Sequence, residues 1–136
     1  VWINPVDAER LGVRTGDVVK IYNELGAVLA GVLVTERIKP GVVSVDHGAR
    51  VDLLSIEDRI DRGGAIDLLM PDASSKYERG QEISVPEQIC SGVLVGVEKV
   101  DMEQLKEKYP EAFARKLHPI VGPTLDNYVV CGGCAP

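Results

Sequence analysis

His47 stands in Asp46-His47-Gly48, directly after the apolar run Val42-Val43-Ser44-Val45. Its ring therefore belongs to the end of a strand, where ligands often bind, and histidine is the side chain a neighbour most readily moves across neutral pH. A loop histidine bonded to a nearby carbonyl has the same surroundings, and the residues alone leave both readings open. Asp67 is the acid within the apolar run Ala65-Ile66-Asp67-Leu68-Leu69-Met70. An ionised carboxylate only accepts hydrogen bonds, so it needs a donor: a ligand, or the nearby Arg59 or Arg62. Cys131-Gly132-Gly133-Cys134 has the spacing of a redox pair or half a zinc site. A zinc site needs about four ligands, and Cys90, His47 and His118 alone remain to complete one. An iron–sulfur cluster asks for about four clustered cysteines. The pair reads more simply as tail or interface clip, and no metal ligand is assigned. The chain has no G-x-S-x-G, H-E-x-x-H, Walker lysine loop or G-x-G-x-x-G, so no residue is assigned as catalytic.

The elements that must position these groups are legible in part. Asn4 can cap a helix start, Pro5 sits where a missing N–H costs nothing, and Asp7 and Glu9 bring negative charge to the first turn. This predicts a short helix over 6–11, stopped by Gly12 in the left-handed conformation. Thr15-Gly16-Asp17 adds a turn, Val18 to Tyr22 a strand, Asn23-Glu24-Leu25-Gly26 a second turn, and Ala27 to Thr35 a long returning strand. Lys39-Pro40-Gly41 turns the chain into Val42 to Val45. Residues 51–62 read as a loop with a helical turn in preference to a helix capped by Ser55, Gly63-Gly64 as a place of close backbone approach, and 65–70 as a buried strand end. Residues 72–88 are polar and without period, a loop for function or for motion. Ser91 to Val100 alternates, with Val93, Val95 and Val97 on one face, as a closing strand would. Asp101 is placed to cap a helix on whose face Leu105 and Tyr109 fall together, and Pro110 begins a further turn.

With 136 residues and few aromatics, the chain suits one β-leaning domain packed with Val, Leu and Ile. The net charge of −6 is uneven, with six acids and six bases in 1–50 against fifteen acids and nine bases beyond. No basic stripe marks a nucleic-acid partner, and no run has the length of a membrane span. A chain that opens two residues before a helix cap is expected to be a piece of something longer, so its compartment is not readable here.

The order NPxDAxxLGVxxGDxVxIxNxxGxxxAxVxVTxxIxPGVVxxxHG, followed by GGAIDLLMP at 63–71 and SGVLVGVEKV at 91–100, resembles the C-terminal dinucleotide-binding domain of molybdopterin oxidoreductases, the group that includes dimethyl sulfoxide reductase and formate dehydrogenase. The resemblance covers Trp2 to Val100. It implies a mainly β fold, a double-psi β-barrel over 1–100, and does not reach the tail, where the residues themselves predict a helical and irregular extension over 101–136. It implies molybdopterin guanine dinucleotide as cofactor, with the molybdenum or tungsten held mainly by other domains, and those domains of the same large subunit as partners. An iron–sulfur electron-transfer subunit is a further partner it allows. The resemblance leaves the compartment unknown: cytoplasmic is the leaning, and periplasmic follows if the full chain carries a twin-arginine signal. The isolated domain is then expected to be inactive.

Residue by residue, Asp46, His47 and Gly48 match the segment lining the guanine and phosphate end. Asp67 stands where the family usually has Asn, which suits guanine N1–H and N2–H or a ribose hydroxyl and would repel a phosphate. Arg50 stands where an aromatic is frequent and can pair with a phosphate. Gln88 and Ser91 match the pterin side, and Gly92 allows backbone approach. The Ser-rich loop and third stretch are also similar to an anaerobic branch with transhydroxylase-like enzymes. The rival from another class is a stand-alone double-psi barrel for binding or interaction, since fold does not settle function. A pyruvoyl decarboxylase of that barrel type would need a self-cleaving Gly-Ser bond, and the chain has none.

Overall fold

The computed structural model describes residues 1–71 and 92–114. Strand β1 (Trp2–Ile3) leads into helix α1 (Pro5–Leu11). The Asn4 side chain accepts from the Val6 amide at 3.0 Å, Pro5 opens the helix, and Gly12 closes it at φ 66. Each is the device its residue type predicts. Strand β2 (Val18–Asn23) pairs antiparallel with β3 (Gly26–Gly31), Val18 opposite Gly31 and Asn23 opposite Gly26. The Asn23 side chain accepts from the Leu25 amide at 2.9 Å and shapes the turn.

The long returning strand breaks at Val32. There the chain bonds to the Thr15–Asp17 turn instead of to β2: Val32 donates to the Asp17 carbonyl at 2.8 Å and Gly16 to the Val32 carbonyl at 2.9 Å. Beyond the break, β4 (Leu33–Val34) runs parallel to β1, whose other edge takes β5 (Val43–Ser44) antiparallel.

Two further expectations are corrected. Residues 51–62 are a hairpin of β6 (Leu53–Ser55) and β7 (Ile60–Asp61), with Arg59 turning it at φ 49. Strands of two and three residues are too short to show a period, and Ser55 serves the turn by accepting from the Asp58 amide at 3.2 Å. Residues Ile66–Leu69 form a 3₁₀ helix, not a strand end. Its three apolar side chains pack into or against the core while Asp67 is turned out, an angular spread that a two-residue period does not give.

Strand β7 runs parallel to β3, and β8 (Gly96–Lys99) antiparallel to β2. The result is a three-stranded sheet β4-β1-β5 and a five-stranded sheet β6-β7-β3-β2-β8. The chain is mainly β, and among the described residues no closed barrel is found.

Ile3, Val19, Ile21, Val28 and Leu69 lie fully buried in one core, each contributing roughly 1.5–3 kcal/mol by leaving water. Val95 and Val97 pack on it while Leu94 is 91% exposed, so the expected alternation is present, but of the closing strand expected over 91–100 only Gly96–Lys99 is strand among the described residues. A second core unites Leu29 and Leu54 with Tyr109 and Ala112. The last two come from α2 (Met102–Lys108), its cap, and α3 (Pro110–Ala114). Asp101 caps α2 by accepting from Glu103 and Gln104 at 2.9 and 3.3 Å. Leu105 and Tyr109 share the packed face, as their spacing predicts.

Candidate functional site

A cleft of about 240 Å³ opens between the 42–47 segment and residues 92–95. Its floor is Ile21, Ile66 and Leu69 of the core, its walls are Val42, Val43, Val93 and Val95, and Ser44, His47 and Gly92 give it polar and open edges. A neighbouring hollow of about 400 Å³ shares Val42, Val43, Gly92, Val93 and Val95 and continues to Arg10. The first cleft is smaller than the roughly 300–1,000 Å³ of a site that holds a drug-sized ligand. It has room for a ring-sized group and not for a whole drug-sized ligand.

At its rim, His47 Nδ1 lies 3.6 Å from Asp67 Oδ1, with side chains 47% and 72% exposed. So open a pair contributes little to folding, ~0–1 kcal/mol even when the ring is charged, and both groups remain free to meet a ligand. Neither Arg59 nor Arg62 is the partner of Asp67. Arg62 is taken by Asp52, Nε to Oδ2 at 2.6 Å, because the hairpin places the two side by side.

The acid held inside is Asp61, not Asp67. Its carboxylate is fully buried and accepts from the Asp52 amide at 2.5 Å and the Ala65 amide at 2.8 Å. Two backbone donors satisfy its oxygens, as a buried polar group requires. One carboxylate thus ties the end of the His47 loop to the start of the helix that carries Asp67. The far end of that helix is tied as well: Asn23 Nδ2 donates to the Leu69 carbonyl at 2.8 Å. Gly63 lets the Arg50 carbonyl pass through the space a Cβ would fill, so the expected close approach at Gly63-Gly64 is present.

The entrance to the cleft strand is fixed from α1. Asp7, nearly buried, accepts from the Gly41 amide at 2.6 Å, and Asn4 donates to the Ile38 carbonyl at 2.7 Å.

Of the residues singled out in the sequence, the structure brings together His47, Asp67 and Gly92. Gly92 adopts φ 82, and a Cβ there would meet nothing within 4 Å, so the backbone conformation is what calls for glycine. Asp46, Gly48 and Arg50 are exposed in the same loop and do not line the cleft. Gln88 and Ser91 lie outside the described residues, as do Cys90, His118, Cys131 and Cys134. Sequence reasoning missed Asp61 and Ser44. The signal for Asp61 was an acid two residues before a glycine pair, which cannot tell a buried carboxylate from an exposed one.

Among the described residues no three His, Cys, Asp or Glu side chains converge as a metal site, and no helix is long and apolar enough to cross a membrane. The arrangement is one for binding. Asp67 can accept two N–H donors from a planar edge, His47 can donate beside it, and the apolar walls can hold a ring.

Comparison with known proteins bears on the same region. The family described as "Molydopterin dinucleotide binding domain" matches residues 1–86. The chain is 41% identical over 80 residues to "Probable dimethyl sulfoxide reductase chain YnfF" of Escherichia coli K12, covering 59% of this chain and 10% of that protein. It is 40% identical over 80 residues to "Dimethyl sulfoxide reductase DmsA" of Haemophilus influenzae, with the same coverage. Against "Trimethylamine-N-oxide reductase 1" of Escherichia coli K12 it is 50% identical over 52 residues, 38% of this chain and 6% of that protein. The chain spans about a tenth or less of the length of these relatives.

Proposed function

The chain belongs to the molydopterin dinucleotide binding domain family, and on that premise we propose that its cleft receives the nucleotide end of a molybdopterin guanine dinucleotide. The observation that carries the reading is the exposed His47–Asp67 pair on the rim of an apolar cleft. The fit is chemical. A carboxylate facing outward matches the adjacent N1–H and N2–H donors of guanine, and the valine walls match the faces of a purine. Phosphates would lie away from Asp67, toward the open side where Gly48 and Arg50 stand; Asp46, Gln88 and Ser91 complete the proposed contact set.

In the whole protein the metal on the cofactor's dithiolenes would supply the redox chemistry, while this domain binds and orients the nucleotide. The reductase names of the relatives support an oxidoreductase of that class, the match spanning about a tenth of each relative. The remaining domains of that subunit, and an iron–sulfur electron-transfer protein, are the partners we propose. We also propose that the two sheets are parts of a double-psi barrel over 1–100, with 101–136 as its extension. What supports this is the parallel pairing of β1 with β4 and of β3 with β7 among antiparallel neighbours.

A titration of the chain with GDP, followed by NMR, tests the reading. Shifts concentrated at His47, Asp67, Gly92 and Ser44 are expected. A saturating titration with no change at these residues would refute the site.

A further inference from the structure

The hairpin β6–β7 does more than flank the cleft. Arg62, whose side chain is 14% exposed, lies between two elements. On one side its Nε donates to Asp52 Oδ2 at 2.6 Å, and its amide donates to the Asp52 carbonyl at 3.0 Å. On the other side its guanidinium sits over the Phe113 ring of α3, 5.3 Å from the ring centre, a cation–π contact strengthened by partial burial. Asp52 in turn gives its amide to the buried Asp61, which also holds Ala65 at the root of the Asp67 helix. Just upstream of Asp52, the Arg50 carbonyl rests on Gly63, the residue after Arg62.

We propose that Arg62 is a positioning residue for the His47–Asp67 cleft, and that Phe113, outside the family-matched residues 1–86, sets it through the face of its ring. The inference rests on reading that cleft as a nucleotide site. Its consequence is that residues 101–114 act on binding without touching the ligand: α3 fixes the guanidinium plane, the plane fixes Asp52, and Asp52 fixes the spacing between the His47 loop and the Asp67 helix. Lysine cannot replace Arg62 here, because a point ammonium lacks both the flat stacking face and a donor at the Nε position.

The test uses the full 136-residue chain and four variants. Phe113→Leu and Arg62→Lys remove the stacking or the fork, Phe113→Trp keeps an aromatic face, and Asp58→Ala cuts the Tyr109 phenol and Lys108 contacts that hold the same helices elsewhere. Three quantities are read: the His47 ring resonances, exchange of the Asp52 and Ala65 amides, and the affinity for GDP. Phe113→Leu and Arg62→Lys are expected to shift the ring resonances, speed exchange at both amides, and weaken GDP binding roughly 3- to 10-fold. Phe113→Trp restores all three, and Asp58→Ala lowers stability while leaving them near wild type. Wild-type ring resonances and amide exchange in Phe113→Leu would overturn the inference, as would equal effects from Asp58→Ala. If the wild-type chain does not bind GDP, the nucleotide reading fails, while the ring and amide measurements still decide whether Phe113 positions the cleft.

Discussion

Gly63 lies against the carbonyl of Arg50 so closely that a Cβ on Gly63 would occupy the oxygen's own space, with the Asp52 amide 3.2 Å from it. Both neighbours are backbone, so neither can swing aside. The contact sets how near the His47 loop comes to the segment leading to Asp67. Gly63→Ala should therefore cost about 1–3 kcal/mol of stability, measured by urea unfolding, and weaken GDP binding. Gly96 offers the contrast: a Cβ there would come 2.6 Å from the Tyr22 ring, but Tyr22 is an exposed residue whose ring can tilt away. Gly96→Ala should cost clearly less than Gly63→Ala, and the reverse order would contradict the backbone argument.

Replacement of Asp61 by alanine removes the acceptor for two amides inside the fold. A buried donor left without a partner costs about 1–3 kcal/mol, and with two such donors Asp61→Ala should lose most of the chain's stability. Asp61→Asn keeps one oxygen and turns an NH₂ toward the other donor, so it should be intermediate. Equal unfolding midpoints for Asn and Asp at this position would show that the carboxylate is not shared between the two amides.

Asp67 faces outward, so its replacement should alter binding without altering the fold. Asp67→Ala is expected to lower GDP affinity roughly 10-fold while leaving the weaker ADP affinity unchanged, because adenine lacks the paired N1–H and N2–H donors. Calorimetry of both nucleotides checks this. An equal loss for ADP and GDP would mean that Asp67 does not read the base.

Among the described residues two carboxyls are held below their ordinary value of 3.8: Asp17 by the hydrogen bond from Lys99, then by the Arg14 amide, and Asp58 by the hydrogen bond from the Tyr109 hydroxyl. A carboxyl whose folded pKa is depressed stabilises the fold above its unfolded value and loses that contribution as pH falls through the folded one. Stability should thus decline as pH drops below about 4, with a shallower decline in Asp17→Asn and Asp58→Ala. Lys108, raised above 10.5 by Tyr109 and then by Asp58, acts in the opposite direction. Its contribution is present below 10.5 and lost as pH rises through the higher folded value, and Lys108→Met should remove that alkaline decline. Unfolding curves across pH give both arms, and identical slopes in the variants would refute the assignment.

Sequence by itself determined the devices that act within a few residues. Asn4-Pro5 and Gly12 bound α1, Asn23 to Gly26 turn the first hairpin, and Asp101 caps α2, because each depends on φ/ψ preference and on hydrogen bonds to the nearest amides. The ordered motifs also carried the family, which the match over residues 1–86 shows. What only the tertiary structure decided is which of two similar acids is inside. Asp61 and Asp67 both follow or interrupt apolar residues, yet one receives two amides at the crossing of β7 and the 3₁₀ helix while the other meets His47 at the rim. Those partners lie four to twenty residues away, and strands of two or three residues carry too few side chains to announce a period. The Arg62 stack on Phe113 joins positions fifty-one residues apart, a distance in sequence at which only folding makes neighbours.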